Sequence, residues 1–191
     1  QDKGNEVNAI KRADAFIRIA DCYFVLSQYT DAVEYYNQAV VLDTFDVDYA
    51  MFQKAMCYGF DGKNDKKAWV LKSLLSEIPD SKFKVDAKYE LASTYLADDR
   101  LAEAKTYYSD ILENHSTSAY NKRALTDMCL VYVKENNYNK VKETWNTLYQ
   151  QYPNDPILKD AVATVQSTLI EDTEFQNQIR SIKIIDIKDS D

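Results

Sequence analysis

Few residues of this 191-residue chain could act on a substrate or hold an ion, and they are scattered. His115 is the single histidine. Zinc and di-iron sites gather several His, Cys or carboxylate ligands at short, regular spacing. No such partner stands near His115 in the sequence, so it reads as a solvated loop residue. Cys22, Cys57 and Cys129 are odd in number, lack Cys-x-x-Cys spacing and lie in apolar stretches. That pattern predicts buried, unpaired thiols rather than a disulfide or a nucleophile. Asp61-Gly62-Lys63 is too short and too poor in glycine for a phosphate cradle and reads as a turn between helices. Carboxylates are abundant, but none forms a distinctive pair, and solvated helix faces account for them. Asn114-His115-Ser116 is a glycosylation sequon, relevant only in a eukaryotic secretory host. No catalytic constellation emerges, and neither a cofactor nor a metal is expected. The chain reads as non-enzymatic.

Composition bounds the elements. With three Gly, three Pro and 46% apolar residues, the chain is poor in turn-formers, which favours an all-α architecture over strands and hairpins. Fifteen Tyr suit shallow two-layer packing, where a ring fills interhelical space while its hydroxyl stays wet. The formal charge of -8 repels phosphate backbones and anionic surfaces, so neither nucleic acid nor an RNA-reading repeat is favoured. No run of 18 apolar residues offers membrane insertion. The start at Gln1, with neither Met nor signal peptide, suggests a mature fragment or a segment of something longer.

The stretch Lys88 to Ser116 shows the building unit. Leu91, Ala92 and Tyr95, then Ala104, Tyr108 and Ile111, fall at helical spacing on either side of the polar break Asp98 to Arg100. Helices this short are marginal alone in water and must bury a second face. The same residue types return at Phe16, Ile19, Ala20 and Tyr23 with Ala32, Tyr36 and Ala39; at Met51, Ala55 and Tyr58 with Leu71, Leu74 and Pro79; and at Leu125, Met128, Cys129 and Tyr132 with Val141, Trp145, Leu148 and Pro153. Tyr23, Tyr58, Tyr95 and Tyr132 step by 35, 37 and 37 residues. The small residues three before them are Ala20, Ala55, Ala92 and Cys129. A period of this size is the mark of a helical solenoid.

These residues resemble the tetratricopeptide repeat, with its bulky, small and Tyr positions in the first helix and its Ala, aromatic and Pro positions in the second. The resemblance covers about Arg12 to Asp155. It implies an all-α, right-handed superhelical solenoid of about four helix-turn-helix repeats plus a C-terminal capping helix. The expected divisions are a helix start at 1–11, repeats at about 13–47, 48–84, 85–121 and 122–155, a capping helix at 156–180 and a tail at 181–191. The capping helix would bury Ile157, Ala161, Val162, Val165 and Leu169. Ile182, Ile184 and Ile187 in the tail would suit either a loose end or a strand that pairs with a partner. Lys54 stands where an apolar residue is usual, Lys67 where Ala is usual, and Thr44 and Ser116 where Pro is usual. The wording of residues 78–96, with Pro79 and Ser81 before Phe83, is similar to repeats of bacterial cell-envelope proteins such as the Tol-Pal cell-division coordinator and the outer-membrane assembly lipoprotein. That similarity favours a cell envelope or periplasm and leaves the cytoplasm open.

The resemblance also implies a groove lined by the first helix of each repeat. Carried over, its positions are Asp14, Ile17, Asp21 and Phe24; Tyr49, Phe52, Met56 and Phe60; Asp86, Tyr89, Ser93 and Leu96; and Arg123, Thr126, Leu130 and Val133. Exposed aromatics and Met in a concavity anchor protein partners. The Lys, Asn and Arg that clamp C-terminal carboxylates elsewhere in the family are absent from these places. Repeat packing falls instead to Ala20, Tyr23, Ala55, Tyr58, Ala92, Tyr95, Tyr108, Cys129, Tyr132 and Trp145. Two functions fit: a scaffold holding a peptide or helix of a partner protein, or an architectural segment of a longer array that associates with itself. Phe24, Phe52, Phe60 and Tyr89 are binding anchors if they face the groove and further core if they bury against neighbouring units.

Overall fold

The computed structural model describes residues 3–165 and Asn177; Leu169, the rest of the expected 156–180 capping helix beyond Val165 and the tail lie outside them. Among the described residues the chain forms helices and no strand. They are α1 (Lys3–Val25), α2 (Tyr29–Leu42), α3 (Val47–Phe60), α4 (Asn64–Glu77), α5 (Lys84–Ala97), α6 (Leu101–Asn114), α7 (Asn121–Lys134), α8 (Tyr138–Gln151) and α9 (Ile157–Val165). The fold is therefore all-α. Residues 3–11, within the expected helix start, belong to a continuous helix, since α1 runs unbroken from Lys3 to Val25.

Each hairpin closes through the same three-residue turn, at Leu26–Gln28, Asp61–Lys63, Asp98–Arg100 and Glu135–Asn137. The middle residue takes a left-handed backbone: Ser27 at φ 58°, Gly62 at 70°, Asp99 at 59° and Asn136 at 55°. The next N–H then reaches back to the carbonyl of the repeat tyrosine, Gln28 to Tyr23 at 2.9 Å, Lys63 to Tyr58 at 2.8 Å, Arg100 to Tyr95 at 2.8 Å and Asn137 to Tyr132 at 2.9 Å. The left-handed residue itself bonds the carbonyl three before it, as Ser27 does to Phe24 at 2.9 Å. Together these are Schellman caps, which satisfy carbonyls that a helix end otherwise orphans. Gly62, Asp99 and Asn136 are residue types that tolerate this conformation; Ser27 does so less readily.

The connections between hairpins explain the uneven period. Helices α2 to α8 all have 14 residues. Residues 43–46 link α2 to α3, whereas the six residues 78–83 and 115–120 serve the next two links. The short link compresses through two left-handed aspartates, Asp43 at φ 48° and Asp46 at 42°. In the later links Ser81, Ser118 and Asp155 stand in phase, 37 residues apart. Their side chains accept the N–H of Phe83 at 3.0 Å, Tyr120 at 3.1 Å and Ile157 at 2.9 Å. Lys122 donates to Asp155 at 2.6 Å. That bond, with the Ile157 N–H, holds the Asp155 carboxyl below its ordinary range.

The chain divides into two compact units, residues 1–94 and 95–191. In the first, Ile17 and Ala20 of α1 bury against Ala32, Tyr36 and Ala39 of α2 and Ala50 and Cys57 of α3. In the second, Trp145 and Leu148 of α8 centre a core with Leu125 and Cys129 of α7 and Leu158, Ala161, Val162 and Val165 of α9. Thus α9 repeats the register of α7: Ala161, Val162 and Val165 follow Ala124, Leu125 and Met128 by 37 residues, and all six are buried.

Tyr95 is 1% exposed, whereas Tyr58 is only half-buried, its ring lying beneath the Lys66 ammonium at 5.6 Å. Tyr95→Ala is expected to cost about 3 kcal/mol in denaturant unfolding, typical of a buried aromatic truncation, with Tyr58→Ala costing clearly less. A loss under about 0.5 kcal/mol at Tyr95, within the range of surface substitutions, contradicts the repeat register.

Candidate protein-binding surface

In the first unit the groove positions are neither uniformly open nor uniformly buried. Ile17 is 6% exposed and belongs to the core, so it presents almost nothing to a partner. Asp14 is committed to Arg18, whose Nε lies 2.9 Å from its carboxylate. Asp21 accepts two phenol hydroxyls, from Tyr36 at 2.5 Å and from Tyr49 at 3.0 Å, and so ties α1 to α2 and α3. Burial first, then the hydrogen bond to Asp21 and its charge, raise the Tyr36 phenol far above its ordinary value of 10.0. Tyr49 shifts in the same direction, again chiefly through burial.

The aromatics gather at two places. At one, Tyr49 meets Tyr36 edge-on at 6.4 Å and Phe83 at 5.9 Å, while Phe52 stacks on Phe83 at 5.1 Å with 11° between the rings. The Lys82 ammonium lies 5.3 Å from the centre of the Phe83 ring. At the other, Phe60 stacks on Tyr29 at 5.2 Å and meets Phe24 edge-on at 5.7 Å. Phe60 remains 59% exposed. Met56, Asp86, Tyr89 and Ser93 are half-buried.

Phe60 does not share the register of Phe24. The in-phase residue is Gly59, and the series runs Phe24, Gly59, Leu96, Val133. The reason lies across the hairpin. Lys67, in phase with Ala32, Ala104 and Val141, is buried, and a Cβ on Gly59 would stand 2.9 Å from its Cδ. Glycine therefore clears the space that the long side chain fills. The Lys67 ammonium then reaches Glu90 of α5 at 2.6 Å. The other lysine among the departures, Lys54, donates to Asn37 at 2.8 Å, and burial lowers its pKa.

In the second unit Arg123 is exposed and Leu130 and Val133 are half-buried. Leu96 and Thr126 are buried, and the Thr126 hydroxyl turns back to the Lys122 carbonyl at 3.0 Å. Of the residues assigned to packing, Ala20, Ala55, Ala92, Cys129, Tyr108 and Trp145 have no exposed surface. Tyr23 and Tyr132 are half-buried, Tyr23 stacked on Tyr35 at 5.4 Å and Tyr132 beneath the Lys105 ammonium at 5.9 Å. Phe83 and Tyr29 were not among the predicted groove residues. The signal for Phe83 is the in-phase Ser81-x-Phe83 and Ser118-x-Tyr120 pairing in the connections.

The remaining chemistry is sparse. All three cysteines are free, but Cys22 on α1 is exposed rather than buried. Burial raises the Cys57 and Cys129 thiols to about 12. His115, expected in a solvated loop, caps α6 and is half-buried, with Nε2 4.0 Å from Asp110. Among the described residues no group of three or more His, Cys, Asp or Glu side chains could hold a metal ion, and no helix is long and apolar enough to cross a membrane.

Tetratricopeptide-repeat models match residues 13–44 and 86–118. Solved structures share the fold. The putative kinesin light chain repeats of Podosopora anserina align with a TM-score of 0.71 at 15% identity, over 94% of this chain and 96% of theirs. The MamA protein aligns with a TM-score of 0.65 at 14% identity, over 82% and 93%. YrrB, described as a tetratricopeptide protein with an unusual peptide-binding site, aligns with a TM-score of 0.66 at 14% identity, over 93% and 91%. At such identities the likeness is one of fold, an all-α helical repeat of the tetratricopeptide type. No curated protein sequence matches the chain.

The Asp21 network gives a pH signature. Raised folded-state values mean that the stability carried by Tyr36 and Tyr49 is complete below the unfolded phenol value of 10.0 and is lost as pH rises above it. The urea midpoint is expected to fall steadily above about pH 10, the ordinary phenol range. Tyr36→Phe should be less stable at neutral pH but show a shallower alkaline decline. Parallel profiles for the two proteins would contradict the assignment.

Proposed function

We propose that the chain is a non-enzymatic scaffold that holds a peptide or helix of a partner protein against the aromatic surface of its first unit. The observation that carries this reading is Phe60, 59% exposed yet held in place by Tyr29 and Phe24. A ring fixed by two others loses little freedom on binding, and such rigid, exposed aromatics are the residue types that dominate protein interfaces. Phe52 and Tyr89 are the companion anchors, with Tyr49, Met56, Asp86 and Ser93 beside them. In the second unit, taken by itself, Arg123 and Leu130 occupy the in-phase positions of Asp86 and Ser93. Ile17, Asp21 and Phe24 support this surface from beneath. The peptide-binding site named for YrrB is compatible with such a role. The wording of residues 78–96 supports a place in a bacterial cell envelope, which fractionation of the host would test.

Photo-crosslinkers placed at 52, 60 and 89 in the host should capture one discrete protein, while the same group at Glu34 on the outer side of α2 should not. Phe60→Ser should then weaken that complex by at least about 2 kcal/mol, roughly thirtyfold, with unchanged melting. Equal capture from all four positions contradicts the proposal.

A further inference from the structure

Building on the groove reading above, we infer that the segment held by the first unit carries a lysine, whose ammonium docks on Asp21 between the two aromatic clusters. Asp21 lies where those clusters approach each other on α1. Its carboxylate accepts the Tyr49 hydroxyl at 3.0 Å, and the Tyr49 ring is 5.9 Å from that of Phe83, on which Phe52 stacks. Phe24 stands about one helical turn further along α1, with Tyr29 and Phe60 against it. A peptide that touches both clusters therefore passes this carboxylate.

The two carboxylate oxygens are used unequally. Oδ1 accepts both hydroxyls, from Tyr36 at 2.5 Å and from Tyr49 at 3.0 Å. Among the described residues Oδ2 accepts no hydrogen bond, and in this half-buried side chain solvent still reaches it. Both donors are neutral phenols, raised by burial and by the Asp21 charge, so they fix the carboxylate without cancelling that charge. Cations on the same helices face other groups. Arg18, about one turn before Asp21, pairs with Asp14 at 2.9 Å, and Lys54 of α3 donates to Asn37. The in-phase residues of the other repeats are Met56, Ser93 and Leu130, so the charge at this register belongs to the first repeat alone.

A partner lying on this surface takes water away from Oδ2. A carboxylate desolvated without a cation is costly, so wholly apolar or acidic segments are disfavoured and a basic one is selected. The open oxygen also chooses between the two basic side chains. A guanidinium makes its strongest contact as a fork on both carboxylate oxygens, and Oδ1 is already filled by two phenols. An ammonium is a compact point charge that needs one oxygen, and its alkyl stem packs well along neighbouring rings.

The probes are random dodecapeptides displayed on phage and selected on the full chain, kept only if Phe60→Ser weakens their binding. The retained peptides are expected to share a lysine. Replacing it with norleucine, which keeps the stem and removes the charge, should weaken binding by roughly tenfold, and arginine in its place should bind less well than lysine. These comparisons use the unaltered chain and do not depend on the folding of any variant. In Asp21→Asn, which keeps one oxygen to accept the phenols, the norleucine replacement should cost less than about twofold, since the two changes then act on the same contact. Retained peptides without a shared lysine, arginine binding as well as lysine, or a norleucine loss undiminished in Asp21→Asn overturns the inference and leaves the groove reading standing. Failure to select any peptide that depends on Phe60 overturns both.

Discussion

One backbone interaction sets the dimensions of everything else: the carbonyl of the repeat tyrosine accepts an N–H from beyond a left-handed residue. That bond reverses the chain in three residues at each hairpin, with lengths between 2.8 and 2.9 Å. A turn so tight leaves no slack, so the stripes of paired helices meet in fixed register. The tyrosine thus serves twice, its carbonyl ending the helix and its ring filling space beside the crossing. Where the ring is only half-buried, as at Tyr58 and Tyr132, a lysine covers the remainder.

Upon this frame the second repeat carries polar residues at places where its neighbours are apolar, and each is matched by a change nearby. Lys67 has Gly59 to make room and Glu90 to neutralise it. Lys54 has Asn37. In the first repeat, likewise, Asp21 receives hydroxyls from two other helices. Buried polar contacts add little net stability, yet breaking one partner is costly, so they discriminate against slipped pairings of helices that otherwise look alike. The same economy explains the surface. Rings that the repeat does not need for packing, Phe60 above all, remain at the water boundary, held by neighbours and available for contact.

Much of the fold was legible because helix spacing and the 35 or 37 residue period are properties of the sequence alone. Tyr23, Tyr58, Tyr95 and Tyr132 each stand five residues before the N–H that closes a hairpin, and Gly62 takes the left-handed place in one of those turns. Burial was less legible. Cys22 has the same local pattern as Cys57, yet Cys57 joins the core shared by α1, α2 and α3 while Cys22 is exposed, a difference set by tertiary packing rather than by neighbours in the sequence. The surface was harder still. Ile17 and Phe24 look alike by type and spacing, but one enters the core and the other joins an aromatic cluster whose members come from three helices. Gly59 disguised the register of Phe60, because the residue that made glycine necessary, Lys67, lies across the hairpin.

Native-state hydrogen exchange at the amides of Gln28, Lys63, Arg100 and Asn137 tests the central constraint most directly. These four N–H groups lie in turns, where amides commonly exchange fast. If the tyrosine carbonyl closes every hairpin, all four are slowed at least about a hundredfold relative to an unstructured chain, opening with their helices rather than ahead of them. Exchange near unstructured rates at these amides, with the helices protected, would contradict the account.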